Sequence, residues 1–282
     1  MVADRSRAKI VKYNREACPE DITIYCEGVT FGEMYGNFLV KSTRQLRRVH
    51  QNPNSLSQFD VNDDGLLVAV GPGGSWTDAR WGQTVTIDGI PYRWGMPIIQ
   101  KDEDGSNTWG LNAQGLPDFQ FGITNNFTYG NWNAYVLLNG QWGGHIFNTT
   151  KRTYLYEGVH ADVDQTGKPE YRKKPLDYYA ASSSGTTTSV SSGNEFSYDY
   201  LMEDGTYMKL DELLVGYRFP GTTRWLARTG LESGRIAVIG RNLYTFTDYT
   251  GYDPEIASTI VRRDTNEYPR YRTVTFQVEL IF

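Results

Sequence analysis

The chain has no run of about 18 apolar residues, and its mean hydropathy is -0.52. That excludes a membrane-spanning helix. It does not exclude a membrane β-barrel, because alternating strands dilute average hydropathy. Cysteine is scarce. Cys18 and Cys26 fit no common zinc spacing, and they form either a small disulfide loop or two free thiols. Positive charge is not in excess: 28 Lys and Arg stand against 33 Asp and Glu, a net charge of -5. No nucleic-acid partner is therefore expected. The three histidines, His50, His145 and His160, fall on separate segments with no G-x-S-x-G motif beside them. Catalysis is not expected, and the chain does not read as an enzyme. The first residues, Met-Val-Ala-Asp-Arg-Ser-Arg, lack the apolar core of a secretory signal. If the protein is exported, this chain is expected to be the downstream piece of something longer.

What the sequence does have is aromatic residues, 20 Tyr, 12 Phe and 7 Trp. Such richness suits aromatic girdles at a membrane interface and sugar-stacking platforms equally. It also has period-two alternation. From Arg272 onward the even positions are Val274, Phe276, Val278, Leu280 and Phe282, whereas the odd ones are mostly polar. One face of this strand is thus apolar, over the length of one tilted bilayer pass, roughly ten residues. A hairpin is expected at residues 118–129 and 132–142 around Gly130-Asn131, with Phe119, Phe121, Ile123, Phe127 and Tyr129 on one parity and Trp132, Ala134, Val136, Leu138 and Trp142 on the other arm's. Further strands are expected at 29–40, 206–219 and 234–247, with a short helix possible at 224–229.

The connections then sort by length. Those at 130–131 and 220–233 are short; those at 41–117, 143–205 and 248–269 are long. A barrel with short periplasmic turns and long external loops has this asymmetry, and a β-sandwich has no reason for it. The expected fold class is all-β, an antiparallel transmembrane β-barrel segment. The rival is a soluble β-sandwich glycan-binding module, in which the apolar stripes would be buried between two sheets. The tract 181–193 is low-complexity, and Gly71-Pro72-Gly73-Gly74 is a turn cluster.

Several segments carry a family resemblance. They are Gly32-Glu33-Met34-Tyr35-Gly36, Asp60-Val61-Asn62-Asp63-Asp64-Gly65, Leu116-Pro117-Asp118-Phe119, Leu210 to Pro220 with Gly216 and Tyr217, Arg241-Asn242-Leu243, Tyr249-Thr250-Gly251-Tyr252-Asp253-Pro254-Glu255, and Tyr268-Pro269-Arg270. In order and spacing over roughly residues 28–282 they resemble the C-terminal region of SusC/RagA-like TonB-linked outer-membrane transporters. Glu212 departs from the family pattern, which has Asn there. The resemblance implies residues 1–28 as an N-terminal segment, loop or partial strand, and 29–282 as the C-terminal barrel portion, without the plug domain. It implies nutrient uptake at the bacterial outer membrane, with outer-membrane lipid, a SusD-like lipoprotein and an oligosaccharide or peptide as partners, and the TonB complex engaged through the missing N-terminal part. It implies that Phe276 and Phe282 belong to a barrel-assembly signal. A non-functional gene fragment is a third reading.

Two sets of residues suggest chemistry. Asp60, Asn62 and Asp64 place oxygens at positions 1, 3 and 5 with Gly65 at 6, the start of a calcium loop. Gly71 stands where the bidentate acid should be, and a polar Asx turn explains the same residues. Asp102-Glu103-Asp104-Gly105 is a weaker case. Trp76, Trp81, Trp94 and Trp109, with Tyr92, crowd the first long loop as candidate ligand or partner contacts, or as that loop's own core. Asp253 and Glu255 read as a structural turn in an exposed loop, and Arg241-Asn242 as a pair facing a barrel interior.

Overall fold

The computed structural model describes residues 2–4, 28–47, 49–101, 108–178, 198–221, 223, 228, 230–255, 262–264 and 266–282. Cys18, Cys26, residues 102–105, the tract 181–193 and most of 224–229 lie outside them. The described residues fall into two units.

The first unit is one antiparallel sheet of β1 (Val2–Asp4), β2 (Phe119–Tyr129), β3 (Trp132–Trp142), β4 (Tyr207–Pro220), β5 (Ser233–Thr247) and β6 (Thr273–Ile281). Each strand pairs with the next in chain order, an up-and-down meander. The all-β antiparallel class expected from the alternation is what the structure has, as an open sheet with β1 and β6 at its edges. Strands β2 and β3 are joined at the Tyr129↔Trp132 pair by two residues. Gly130 opens that turn at φ 57, where a side chain would strain the backbone.

The strand expected at 29–40 is corrected. Only Glu33–Asn37 is extended, and it pairs with Trp109–Gln114 in the second unit. Gly32 at φ 86 breaks the run before it. Met34, on the inward parity, enters a core with Met96, Phe147 and Tyr178.

The second unit comes from residues 28–114 and 147–203. It holds two short hairpins, Phe59–Val61 with Leu67–Ala69 and Thr84–Ile87 with Ile90–Arg93. The latter turns on Asp88 at φ 50 and Gly89 at φ 80. An Asp-Gly pair with both residues at positive φ is the type I′ turn that fits strand twist. A helix at Thr149–Tyr156 is capped by Asn148, whose side chain accepts from the Lys151 N–H at 2.7 Å. Trp94, Val68 and Val70 are fully buried with Trp76 and Trp81 against them. A second cluster joins Met34, Met96 and Ala113 from the first stretch to Phe147, Leu155, Tyr178 and Leu201 from the second. Two chain segments far apart in sequence thus share one core.

In the turn cluster, a Cβ on Gly74 would lie 2.3 Å from the Val70 carbonyl oxygen. No side-chain motion relieves a clash with backbone. Gly74→Ala is expected to cost the second unit about 1–3 kcal/mol, read as a lower midpoint in denaturant by tryptophan fluorescence. Gly122→Ala, where a Cβ meets nothing within 4 Å, should leave that midpoint where it is.

Candidate functional site: a two-faced sheet and its lysine lock

The pairing registers decide which side chains share a face. Tyr129, Trp132, Tyr217, Ile236 and Val278 form one row across β2 to β6, and Phe127, Ala134, Val215, Val238 and Phe276 form the next. Further along the same face come Ile123, Leu138, Leu210 and Tyr244, then Phe121, Gly140, Met208 and Phe246. This face is apolar from edge to edge except for Asn125. The opposite face carries Thr124, Thr128, Asn133, Asn139, Lys209, Arg218, Arg235, Arg241, Thr275 and Glu279, with Leu137, Leu214 and Ile239 as an apolar island.

Strict alternation cannot produce this pattern in β4 and β5. In β4 the apolar parity runs Met208, Leu210 and then Leu213, Val215, Tyr217. A bulge resets it: Leu210 pairs with Leu138, but Glu212 pairs with Leu137. In β5 the register slips again, from Tyr244 opposite Leu210 to Arg241 opposite Glu212. Asn242 occupies that slip at φ 53, a conformation Asn tolerates better than most residues, and its side-chain amide donates to the Arg270 carbonyl at 2.5 Å. The Asn of the Arg-Asn-Leu motif is thus a bulge residue. Arg241 and the unusual Glu212 pair on the polar face, Nε to Oε2 at 2.9 Å.

Aromatic rings gather at both ends of the apolar face. Near the short turn, Trp132 and Tyr217 meet edge-on at 4.9 Å, as do Tyr217 and Phe219. At the other end, Tyr244 and Phe246 lie 4.6 Å apart and Phe119 and Phe121 6.3 Å apart. Among the described residues nothing covers this surface: Tyr129 is 86% exposed, Phe276 78% and Phe282 82%. Phe276 sits opposite Val238 in mid-sheet, and Phe282 follows the last strand with the same parity.

The Tyr-Thr-Gly-Tyr-Asp-Pro-Glu motif is not the exposed turn expected from its sequence. Asp253 is buried, and Glu255 is largely so. Both meet Lys209, whose side chain is wholly buried on β4: Nζ lies 3.1 Å from Asp253 Oδ2 and 2.5 Å from Glu255 Oε2. The other Glu255 oxygen accepts from Arg270 at 3.0 Å. Asp253 Oδ1 also accepts from the Glu255 N–H at 3.0 Å, an Asx turn that aims both acids the same way. Tyr249 anchors the motif's start by donating to Asp264 at 2.7 Å. Its ring lies where a Cβ on Gly251 would be, 2.4 Å away, so the glycine is required there. The motif locks the last long connection onto the sheet.

In the second unit, the calcium candidates are otherwise engaged. Asp60 accepts from the Val61 and Trp76 N–H groups and the Ser75 hydroxyl. Asn62 Oδ1 accepts from the Asp64 and Leu66 N–H groups at 3.0 Å, and its amide bonds the Tyr178 hydroxyl. Asp64 accepts from Tyr178 at 2.7 Å and pairs with Lys174 at 2.6 Å, while Asp63 pairs with Lys174 and Arg172. Lys174, nearly buried, supplies the positive charge that a cation would bring. The arrangement is an Asx turn tied to the second long connection, and it does not fit a calcium ion.

Trp94 is fully buried and has no free face for a sugar ring. Trp81 crosses it edge-on at 5.1 Å and donates its Nε1 to the Glu170 carbonyl at 3.1 Å. Trp76, half-buried, meets Tyr171 at 5.2 Å. These rings work as core. The Trp109 side chain lies outside what is described.

His50 sits in a network its sequence gave no sign of. It is fully buried, with Nδ1 2.8 Å from Asp88 Oδ2 and Nε2 2.8 Å from the Tyr92 hydroxyl. Ser55 donates to the other Asp88 oxygen at 2.7 Å. The Ser55 bond, with His50 second, holds the Asp88 carboxyl below its usual range. Burial, then the Asp88 charge, pushes the Tyr92 hydroxyl up to about 12. Because the serine bonds the aspartate and not the imidazole, this is no nucleophile–base pair. It fastens the Asp88-Gly89 turn to the helix at Pro53–Leu56. His160 caps a short turn by accepting from the Asp162 N–H, and His145 lies apart from both.

No protein-family model matches the chain. It is 30% identical over 179 residues to the TonB-dependent receptor P3 of Formosa agariphila, covering 59% of the chain and 16% of that protein. It is 23% identical over 165 residues to the TonB-dependent receptor SusC of Bacteroides thetaiotaomicron, covering 58% of the chain and 15% of that protein. Solved structures of the RagAB peptide importer in its open-open and closed-closed states superpose on 94% and 93% of the chain at 15% and 16% identity, with TM-scores of 0.48 and 0.49, and the match spans 24% of the solved chain in each. The chain is thus similar in sequence to TonB-dependent receptors. One of these relatives is SusC itself, of the kind that the motifs pointed to, and the match spans about a sixth of each relative's length.

Two outcomes test the geometry. Lys209→Met strands Asp253 as a buried unpaired charge, a loss of about 3–5 kcal/mol. Amide exchange should speed up by about 100-fold or more in residues 249–255, whereas amides of the β2–β3 ladder keep their protection. Lys174→Met should lower the melting midpoint of the second unit, and millimolar calcium or a chelator should leave the unsubstituted chain's midpoint unchanged.

Proposed function

We propose that this chain forms part of the barrel wall of an outer-membrane TonB-dependent nutrient receptor of the SusC type. The observation that carries this reading is the apolar sheet face, with its largest side chains exposed, between two aromatic bands. Strands of eleven residues, as in β2 and β3, run about 36 Å. Tilted by about 40°, they cross the roughly 25 Å apolar band of an outer-membrane barrel. The aromatic rows then fall at the two interfaces and the aliphatic rows between them. A sandwich would bury the same face, so the exposure of Phe276 and Val278 speaks against that rival.

In this reading the apolar face meets lipid and the polar face lines the lumen. The turn at 130–131 lies in the periplasm, and the long connections 41–117, 143–205 and 248–269 lie outside the cell. A SusD-like lipoprotein captures an oligosaccharide or peptide over those connections, and the TonB complex drives its passage. The chain supplies wall and external surface and catalyses nothing. Phe276 and Phe282 present their rings to the lipid side, as the assembly signal would require. The relatives' kind and the loop-length asymmetry support each of these steps.

The test is single-cysteine labelling on intact cells of the full protein that carries this segment, with Cys18 and Cys26 substituted. Ser75→Cys should react with a membrane-impermeant maleimide, and Asn131→Cys only after the outer membrane is permeabilised. The opposite pattern reverses the topology, and equal labelling of both in a soluble fraction removes the membrane reading.

A further inference from the structure

The polar face carries an unbalanced charge at its short-turn end. Arg218 and Arg235 stand directly opposite each other in the β4–β5 register, and Arg235 stands opposite Glu279 in β5–β6. Like charges directly opposite on a sheet face repel and destabilise the pair. In the same unit Arg241 pairs with Glu212 and Arg270 with Glu255. Among the described residues neither Arg218 nor Arg235 makes an ion pair, with Glu279 or with any other carboxylate. The two guanidinium groups instead border a hollow of about 570 Å³, with Thr128, Asn131, Asn133 and Glu279 also on its wall. The adjoining row carries Gly216 and Ala237, and the Asn133 side chain lies over Gly216 at the edge of the hollow.

We infer that this hollow is a binding site for a carboxylate, held by the paired arginines Arg218 and Arg235. Guanidinium forks match a carboxylate's two oxygens, and two forks from neighbouring strands can grip one group between them. The charge count selects the ligand. Two arginines and Glu279 leave the site with a net charge of +1, which one carboxylate balances. A phosphate dianion would face Glu279 with excess negative charge. Asn131, Asn133 and Thr128 add neutral donors at the rim. Lipid phosphates do not reach this site if the apolar face is the lipid face, because the hollow lies on the other side of the sheet. The inference itself needs only the registers and stands apart from the membrane reading. The group that fits is the carboxylate of an acidic polypeptide segment or of a small organic acid, whose shared chemistry is what the site reads.

The test uses the full chain, isotope-labelled and folded in detergent micelles, titrated with sodium acetate, with a tripeptide holding a central aspartate, or with sodium phosphate, against sodium chloride at matched ionic strength. The Arg218 and Arg235 Nε–H resonances should move together with acetate and with the peptide, and saturate. Arg218→Gln and Arg235→Gln should each weaken the response at least about tenfold, while Arg241→Gln leaves it unchanged. Arg235→Lys, which keeps charge and fold but loses the fork, should weaken it by a smaller factor. Without ligand, Arg218→Gln should melt no lower than the parent, because it removes repulsion. A peptide response at least about tenfold stronger than acetate's marks a polypeptide source, and equal responses mark a free organic acid. Tenfold tighter phosphate binding would overturn the carboxylate assignment. A shift that follows ionic strength alone, or that survives in the Arg218→Gln/Arg235→Gln double variant, would overturn the site. So would a Glu279-dependent loss of stability in Arg218→Gln, which would make the arginines structural.

Discussion

An apolar face five strands wide must have something against it. Burial of apolar area is the dominant favourable term in folding, and here a surface that includes Phe127, Val215, Val238, Phe276 and Val278 has no protein cover. The rest of the sheet serves that constraint. Two successive register slips, in β4 and then in β5, keep the apolar side chains on one side where the sequence parity changes. Asn242 accepts a left-handed backbone to allow the second slip. The polar face can then hold Lys209, Glu212 and Arg241 in pairs, with only the small island of Leu137, Leu214 and Ile239 beside them.

The polar groups obey a matching rule. A buried charge is costly unless it is paired and hydrogen-bonded. Lys209, wholly buried, has two acids and brings the last long connection down with them. Lys174 has two acids of its own and ties the first long connection to the second. Each lysine closes a loop whose two ends are distant in sequence. Arg218 and Arg235 differ from these lysines in standing directly opposite each other with no carboxylate among the described residues paired to either.

Much of the sheet was legible. Strands β2, β3 and β6 follow from unbroken parity, β4 and β5 from apolar runs whose two bulges parity alone does not show, and the Gly130-Asn131 turn from its composition. The strand at 29–40 was misread because its apolar residues suit a short buried strand as well as a long wall strand, and only the partner at 109–114 decides. The Thr84–Arg93 hairpin had a plain signal in Ile-Asp-Gly-Ile that passed unused. The site was less legible. A lysine in a strand looks solvent-facing until the acids that meet it are known, and Asp253 lies 44 residues away from Lys209. The tryptophans looked like contact residues for the opposite reason: composition shows how many rings a loop has, and not that Trp94 is buried against Val68 and Val70.

The shared core of the second unit has a consequence for how such proteins diversify. Met34 and Met96 pack with Phe147, Tyr178 and Leu201, and Asn62, Asp63 and Asp64 are tied to Tyr178, Arg172 and Lys174. The two longest connections are separate in the gene and one body in the fold. Change in either alone leaves cavities or unpaired charges in the other. Their residues are therefore coupled: a change in the joint core on one segment calls for a matching change on the other.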